Sequence, residues 1–156
     1  MTVSAKTNTA QTNTAKTYTG ACLCGAVRYS VQGPPVVVAQ CHCAECRKIS
    51  GAGHSTGAMF PLTALSLQGE TSTFSYTSGA GNTVTKSFCP GCGCPIMGQN
   101  SGMPGHGTLT LGSMENAEDL AVQVVIYCRD RPIWDQADPE AACFETQPGW
   151  KPEDGL

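Results

Sequence analysis

The spacing of the cysteines restricts the fold and function of this chain more than any other feature of its sequence. Eight of the ten cysteines form three short groups: Cys22 and Cys24; Cys41, Cys43 and Cys46; and Cys89, Cys92 and Cys94. Cysteine thiolates at such spacings bind zinc, which takes four protein ligands in structural sites and three plus an open position in catalytic sites. A group of three sulfurs is therefore an incomplete tetrahedron that a distant residue or a substrate completes.

The cysteine groups suggest two zinc sites of different character. Members of the first and third groups make a closed four-sulfur site: Cys22, Cys24, Cys89 and Cys92. The second group is then left as an open three-sulfur site: Cys41, Cys43 and Cys46. The closed site joins the start of the fold to its second half, and metal binding there contributes folding free energy.

Three cysteines fall outside this arrangement. Cys94 competes for a place in either site, and spacing alone does not exclude it. We interpret it as a small buried apolar residue. Cys128 and Cys143 stand alone in the sequence, and we interpret both as packing residues of the core.

The length of 156 residues corresponds to one domain, and a hydrophobic fraction of 40% indicates a globular one. Residues 1–16 are almost entirely Thr, Asn, Ala, Gln and Lys and are predicted to form a flexible tail. Residues 17–150 are predicted to form the zinc-binding domain. Residues 151–156 are predicted to form a short C-terminal tail.

Charge and hydropathy exclude some classes of partner. The net charge is −3 and no basic run is longer than Arg47-Lys48, which argues against nucleic-acid binding. The sequence shows no apolar signal-peptide core and no stretch of transmembrane length, which predicts a cytoplasmic protein that does not bind membranes. Thiols stay reduced in the cytoplasm, so the cysteine groups indicate metal or catalysis rather than disulfides.

Many short β-type segments separated by turn residues predict a mainly β domain. The predicted strands cover residues 18–22, 26–32, 36–40, 55–60, 65–68, 73–77, 83–88, 95–99, 108–111 and 122–127. A short helix is predicted over residues 44–49, where it follows the second cysteine group, and a helical turn over residues 116–120. Gly25 suits a tight turn that brings the backbone close to an ion.

The histidines and the basic pair give weaker signals. His42 lies between two predicted ligands, and on an extended backbone its ring points away from them. His54 and His106 lie in Gly/Ser-rich loops and are interpreted as surface or hydrogen-bonded residues rather than ligands. Arg47 and Lys48 are candidates for binding the anionic groups of a substrate beside the open zinc; a solvated pair is an equally good interpretation.

Three motifs together resemble a known family. They are Gly20-x-Cys22-x-Cys24-Gly25-x-Val27-Arg28-Tyr29, then Cys41-His42-Cys43-x-x-Cys46-Arg47-Lys48-x-Ser50-Gly51, then Phe88-Cys89-x-x-Cys92-Gly93. This order resembles the glutathione-dependent formaldehyde-activating enzyme (GFA) family, also called the CENP-V/GFA domain. Arg131-Pro132-Ile133-Trp134 and Phe144 fit its looser C-terminal part, so the resemblance covers about residues 17–144.

The resemblance implies a zinc-stapled β-tent fold of short antiparallel strands with two zinc ions per chain. It implies that the four-sulfur site is structural and that Cys41, Cys43 and Cys46 hold the active-site zinc. The implied activity is that of a carbon–sulfur lyase of the S-(hydroxymethyl)glutathione synthase type. Formaldehyde is then the aldehyde and glutathione the co-substrate, so the implied partners are a small thiol and a small aldehyde.

Zinc–thiolate chemistry explains such an activity, because a thiol is nucleophilic only as the thiolate and metal coordination deprotonates it. Two alternatives stay open. One is a non-catalytic zinc-stapled binding domain in which another residue closes the three-sulfur site. The other is the same chemistry on a different small electrophile. The sequence leaves the oligomeric state undetermined, with a homodimer as one option.

Overall fold

In a computed structural model of the chain, residues 15–154 are described. Within that range the chain forms eleven strands and one α-helix. In order, they are β1 (Thr17–Ala21), β2 (Arg28–Gln32), β3 (Val37–Cys41), α1 (Ala44–Ser50), β4 (Ser55–Pro61), β5 (Leu65–Gln68), β6 (Ser72–Thr77), β7 (Thr83–Phe88), β8 (Pro95–Asn100), β9 (His106–Thr110), β10 (Val124–Ile126) and β11 (Ala142–Phe144). The mainly β fold expected from the sequence is therefore confirmed.

The strands form two sheets. The small sheet has the order β1-β2-β5, and the large sheet has the order β11-β10-β3-β4-β9-β8-β7-β6. Neighbouring strands are antiparallel except at one edge of the large sheet, where β10 runs parallel to both β3 and β11. At that edge the C-terminal part of the chain adds the strands β10 and β11 beside β3.

The core lies where the two sheets face each other. Tyr18 and Val31, which are directly opposite on β1 and β2, are buried together with Phe60, Ile96 and Leu109 of the large sheet. The rings of Tyr18 and Phe60 are 5.9 Å apart. Alternate residues of β1 and β2 are buried, as expected for strands with one face on a core. The other face of the large sheet is therefore free to line a binding site.

The predicted N-terminal tail, residues 1–16, is described only at its last two residues. Residues 1–14 of the predicted N-terminal tail lie outside the described residues. Lys16 lies inside them, and its ammonium donates to Asp119 over 2.6 Å and to the Asn116 carbonyl over 2.8 Å. The predicted helical turn at residues 116–120 is a single hydrogen-bonded turn between Leu120 and Ala117.

The interpretation of Cys128 and Cys143 as packing residues is wrong, because the two form a disulfide. Parallel pairing of β10 with β11 places Cys143 opposite Val125, and Cys128 follows two residues after β10. The two Cα atoms are 6.2 Å apart, within the range that a disulfide spans. The pair depends on a long-range strand contact that the local sequence does not signal.

No helix within residues 15–154 has the length and apolar character needed to cross a membrane.

Candidate metal centre

The four-sulfur site predicted from the sequence is assembled in the structure. The Sγ atoms of Cys22, Cys24, Cys89 and Cys92 all lie within 4.8 Å of one another. Cys24 Sγ lies 3.6 Å from Cys22 Sγ and 3.7 Å from Cys89 Sγ. Zinc–sulfur bonds of about 2.3 Å in a tetrahedron place the sulfurs about 3.8 Å apart. The cluster therefore fits a zinc ion with little rearrangement.

Two glycine turns shape this site. Gly25 and Gly93 have φ angles of 78° and 71°, a backbone conformation that glycine adopts without steric cost. Each turn is closed by a hydrogen bond to the carbonyl of a preceding ligand, Cys22 or Cys89. Beyond the first turn the Val27 amide donates to Cys22 Sγ over 3.2 Å and lowers the pKa of Cys22 to about 6. The backbone thus favours the thiolate form that a metal needs.

The three-sulfur site is built from a single strand-to-helix connection. Cys41 is the last residue of β3, Cys43 caps the N-terminus of α1, and Cys46 lies in the first turn of that helix. Cys43 Sγ accepts the backbone N–H of Cys46 over 3.4 Å. The three Sγ atoms lie within 4.8 Å of one another. The same residues that begin the helix therefore bring the sulfurs together.

The charge of the three-sulfur site indicates what it can hold. Hydrogen bonds from the Cys41 and Cys43 thiols lower the pKa of Cys46 to about 2, so the first negative charge lies on Cys46. The neighbouring sulfurs, together with burial, raise the pKa of Cys41 far above its ordinary value. Three sulfurs this close together, one of them buried and two half-buried, do not all become thiolates unless a cation balances their charge. The donor set therefore fits a soft divalent ion such as zinc.

The two clusters differ in their access to a cavity of about 940 Å³. Cys41, Cys43 and Cys46 all line it. The four-sulfur cluster contributes no residue to the lining that the described part of the chain provides. The cavity covers the open face of the large sheet, where alternate residues of β3, β4 and β10 form its floor. Of the two clusters, the three-sulfur one is therefore accessible to a small molecule.

The other predicted site residues lie apart from this cavity. Arg47 is half-buried and Lys48 is exposed, and neither lines the cavity. Their predicted contact with an anionic substrate stays a prediction. Cys94 is half-buried and packs against the core, with its Sγ 3.7 Å from the Pro95 carbonyl oxygen.

A buried network that sequence reasoning missed lies behind β3. His42 is fully buried, and its Nδ1 lies 3.0 Å from the Gly53 carbonyl oxygen and 3.2 Å from Asp135 Oδ2. His54 Nδ1 lies 2.7 Å from the same carboxylate oxygen. His42 is grouped with His54 and Asp135 and not with the neighbouring sulfurs. Asp135 follows β10 by nine residues and gave no sequence signal, because only the tertiary fold brings it to the two histidines.

Two tyrosines near the three-sulfur site were also missed. Tyr76 of β6 and Tyr127, which follows β10, line the cavity. Burial, followed by the charges of Cys41 and Cys43, raises the pKa of Tyr127, and burial with the charge of Cys46 raises the pKa of Tyr76. Both phenols therefore keep their protons near neutral pH and are hydrogen-bond donors. Tyr127 also has a φ of 56°, an uncommon conformation for a residue with a side chain.

Comparison with known proteins agrees with this geometry. A crystal structure of a Rhodobacter sphaeroides protein is similar, with a TM-score of 0.51 and 21% sequence identity over 81% of this chain and 98% of that chain. At that identity the similarity concerns the fold alone. The comparison with curated proteins gave no significant match. Residues 17–130 match the family described as glutathione-dependent formaldehyde-activating enzyme.

The family match covers both cysteine clusters and ends before Asp135, Cys143 and the rest of the C-terminal segment. It spans well over half of the chain. The order of the cysteine motifs, the two sulfur clusters and the mainly β fold agree with it. The chain belongs to the glutathione-dependent formaldehyde-activating enzyme family.

Proposed function

We propose that this protein is a zinc-dependent carbon–sulfur lyase that forms and cleaves thiol–aldehyde adducts of the S-(hydroxymethyl)glutathione type. One observation carries the proposal. The three sulfurs of Cys41, Cys43 and Cys46 converge on one point of a large cavity, while the four-sulfur cluster has a full set of ligands and lies away from that cavity. One cluster is suited to structure and the other to chemistry.

Each cluster has a separate role in this proposal. Cys22, Cys24, Cys89 and Cys92 would hold one zinc ion and join the two halves of the fold. Cys41, Cys43 and Cys46 would hold a second zinc ion, which, when bound, keeps a substrate thiol deprotonated at neutral pH. The three cysteines that would hold this ion line the cavity from which a substrate would arrive.

In this reaction the protein has to orient the thiol and the aldehyde and to stabilise the charge that develops on the aldehyde oxygen. In the synthetic direction the carbon–sulfur bond forms, the carbonyl double bond becomes a single bond, and the proton of the thiol ends on the oxygen. Tyr76 and Tyr127 line the same cavity as the sulfurs. Their raised pKa values keep the phenols protonated, so either can donate a hydrogen bond to the oxygen as its charge develops.

The proposal is tested by following the hydroxymethyl adduct of glutathione by NMR in the presence and absence of the zinc-loaded protein. Thiols add to formaldehyde without a catalyst, so the uncatalysed exchange rate is the necessary reference. We expect the parent protein to exchange the adduct faster than that rate. Tyr76→Phe and Tyr127→Phe should each lower the exchange rate, and the double variant should lower it most. Exchange at the uncatalysed rate with both metals bound would favour the non-catalytic binding domain.

A further inference from the structure

The cavity beside the three-sulfur site has a wall that is mainly apolar and extends well beyond the sulfurs. From Cys41 the floor continues along β3 through Ala39 to Val37, a distance of about 13 Å for four residues of an extended strand. On the neighbouring strands, Val124 of β10 lies opposite Ala39 and Met59 of β4 lies opposite Val37, and both line the cavity. A ligand whose sulfur lies at the cysteines therefore has an apolar track for the rest of its length.

The C-terminal segment extends this apolar wall. Phe144 of β11 and Trp150 both line the cavity. Both lie beyond residue 130, where the family match ends. The disulfide between Cys128 and Cys143 ties this segment to the end of β10, next to the sulfur site. The apolar extension is thus a feature of this chain in addition to the shared domain.

The charges in the cavity do not match those of glutathione. Glutathione carries two carboxylates and one ammonium group, which call for two cationic partners and one anionic partner. The acidic side chains in the described lining are Glu45 and Asp130, and the cationic one is Lys151. Arg47 and Lys48, the basic pair nearest the sulfurs in sequence, lie outside the lining. A site that complements glutathione would hold two cations and one anion, whereas this lining holds one cation and two anions. Glutathione would therefore bind here with one uncompensated carboxylate, at a cost that an uncharged ligand avoids.

We propose that the preferred substrate of this site is the formaldehyde adduct of a thiol with an extended apolar group, alkyl or arylalkyl, rather than the adduct of glutathione. This inference rests on the proposed lyase function, because it names the thiol on which that function acts. The thiol carries the apolar group because its sulfur is the atom held at the cysteines. Formaldehyde, with a single carbon, fills little of a 940 Å³ cavity.

The test compares a series of thiols on the full-length, zinc-loaded protein: ethanethiol, butanethiol, hexanethiol and glutathione. Adduct exchange with formaldehyde is followed by NMR, and binding of each thiol without formaldehyde is measured by calorimetry. Burial of each methylene contributes about 0.8 kcal/mol, so affinity and kcat/KM should each rise about fourfold per added methylene. Glutathione should fall below hexanethiol in both measurements.

A pair of variants locates the effect in the apolar wall. Phe144 is 39% exposed on an edge strand, so its substitution leaves the core intact. Phe144→Glu should flatten the dependence on chain length and reduce hexanethiol binding at least fourfold, whereas Phe144→Leu should keep most of both. A melting temperature close to that of the parent shows that the variants are folded.

The outcomes separate this inference from the proposed function. Exchange that is fastest with glutathione, or that does not change with chain length, would overturn the apolar-thiol inference while leaving the lyase standing. Chain-length-dependent binding with no exchange above the uncatalysed rate would support the apolar ligand and overturn the lyase. Equal binding of all four thiols by parent and Phe144→Glu would also overturn the inference.

Discussion

The two cysteine clusters use the same side chain but are assembled in opposite ways. In the four-sulfur cluster, 65 positions of sequence separate Cys24 from Cys89. In the three-sulfur cluster all the ligands lie within six consecutive residues at the junction of β3 and α1. A ligand set that closes a long loop restricts the unfolded chain strongly, whereas a local set restricts it little. The distant cluster is therefore suited to stability, and the local cluster is free to serve binding.

The surroundings of the clusters differ in the same sense. Backbone N–H groups and glycine turns hold the four-sulfur cluster, and its ligand set is complete. The cluster has four ligands but is not fully buried, because Cys24 is exposed. The three-sulfur cluster lies in a cavity wall, and no fourth His, Cys, Asp or Glu joins it among residues 15–154. Substitutions in one cluster should therefore change stability, and those in the other should change activity.

The largest expected effect is on folding. Cys22→Ser or Cys92→Ser removes one ligand of the closed site, where a bound zinc ion would contribute on the order of 10 kcal/mol to the folded state. We expect loss of most of the cooperative thermal unfolding transition, measured by circular dichroism. Cys94→Ser is the matched control, since Cys94 lies beside the cluster and outside its ligand set. A parent-like melting temperature in Cys22→Ser with both metals retained would contradict the assignment.

The next effect is on activity with the fold preserved. Cys46→Ser leaves two sulfurs in the open site, which hold zinc poorly. Zinc per chain should fall from two to one, adduct exchange should fall to the uncatalysed rate, and the melting temperature should change by only a few degrees. Elemental analysis and NMR exchange give the two readouts. A variant that loses the second zinc and keeps the parent rate would show that the chemistry does not depend on this cluster.

A smaller effect is expected where the C-terminal segment joins the sheet. Cys143→Ser opens a disulfide across a sequence separation of 15, worth at most about 3 kcal/mol in the loop-closure estimate. Because β11 is an exposed edge strand, the change should be local. Hydrogen exchange should become faster in residues 142–151, while protection of the four-sulfur cluster stays the same. Cys128→Ser should give the same pattern, and different patterns would argue against the pairing.

The smallest effect concerns the network behind β3. Burial is the largest single influence and acts to raise the pKa of Asp135. The hydrogen bond with His54, the electrostatic interactions with His54 and His42, and a backbone hydrogen bond together outweigh it, so the net shift is downward. A lowered folded-state pKa means that the ionised form stabilises the fold. This stabilisation is complete above the pKa of an unfolded Asp, about 3.9, and is lost as pH falls through the folded value.

Asp135→Asn should therefore cost about 1 kcal/mol near neutral pH, and the cost should shrink as the pH falls through the folded pKa, as measured by denaturant unfolding. Because His42 lies between Cys41 and Cys43, the variant should also loosen the three-sulfur cluster more than the four-sulfur one. Zinc release to a chelator, followed separately for each site, compares the two. Equal loosening of both clusters would indicate a general loss of stability instead.

Local patterns in the sequence were sufficient to predict most of the strands and both cysteine clusters. Strand β7, for example, occupies Thr83–Phe88, the range that the alternation of residues predicts. Cysteine pairs next to glycine turns have a defined local geometry, so each group is recognisable from its spacing. The strands and the three-sulfur cluster depend on residues that are close in sequence, whereas the four-sulfur cluster also requires the fold to join two cysteine pairs that are far apart in sequence.

The features that the sequence did not reveal depend on long-range contacts. The disulfide requires β10 and β11 to pair in parallel, and Asp135 meets His42 and His54 only in the folded chain. The cavity could not be predicted either, since its lining comes from eight strands that only the folded chain brings together. Arg47 and Lys48 are adjacent to a ligand in sequence, yet α1 places both outside the cavity wall.

The central claim is that one cluster is closed and the other is open to a thiol, and cobalt substitution tests it most directly. The protein is loaded with two cobalt ions, and its visible absorption is followed while a thiol is added. We expect the bands of one site to change and those of the other to stay constant, and we expect no change in Cys46→Ser, which retains the four-sulfur site. A spectrum that does not respond to the thiol, or a response that persists in Cys46→Ser, would contradict the account.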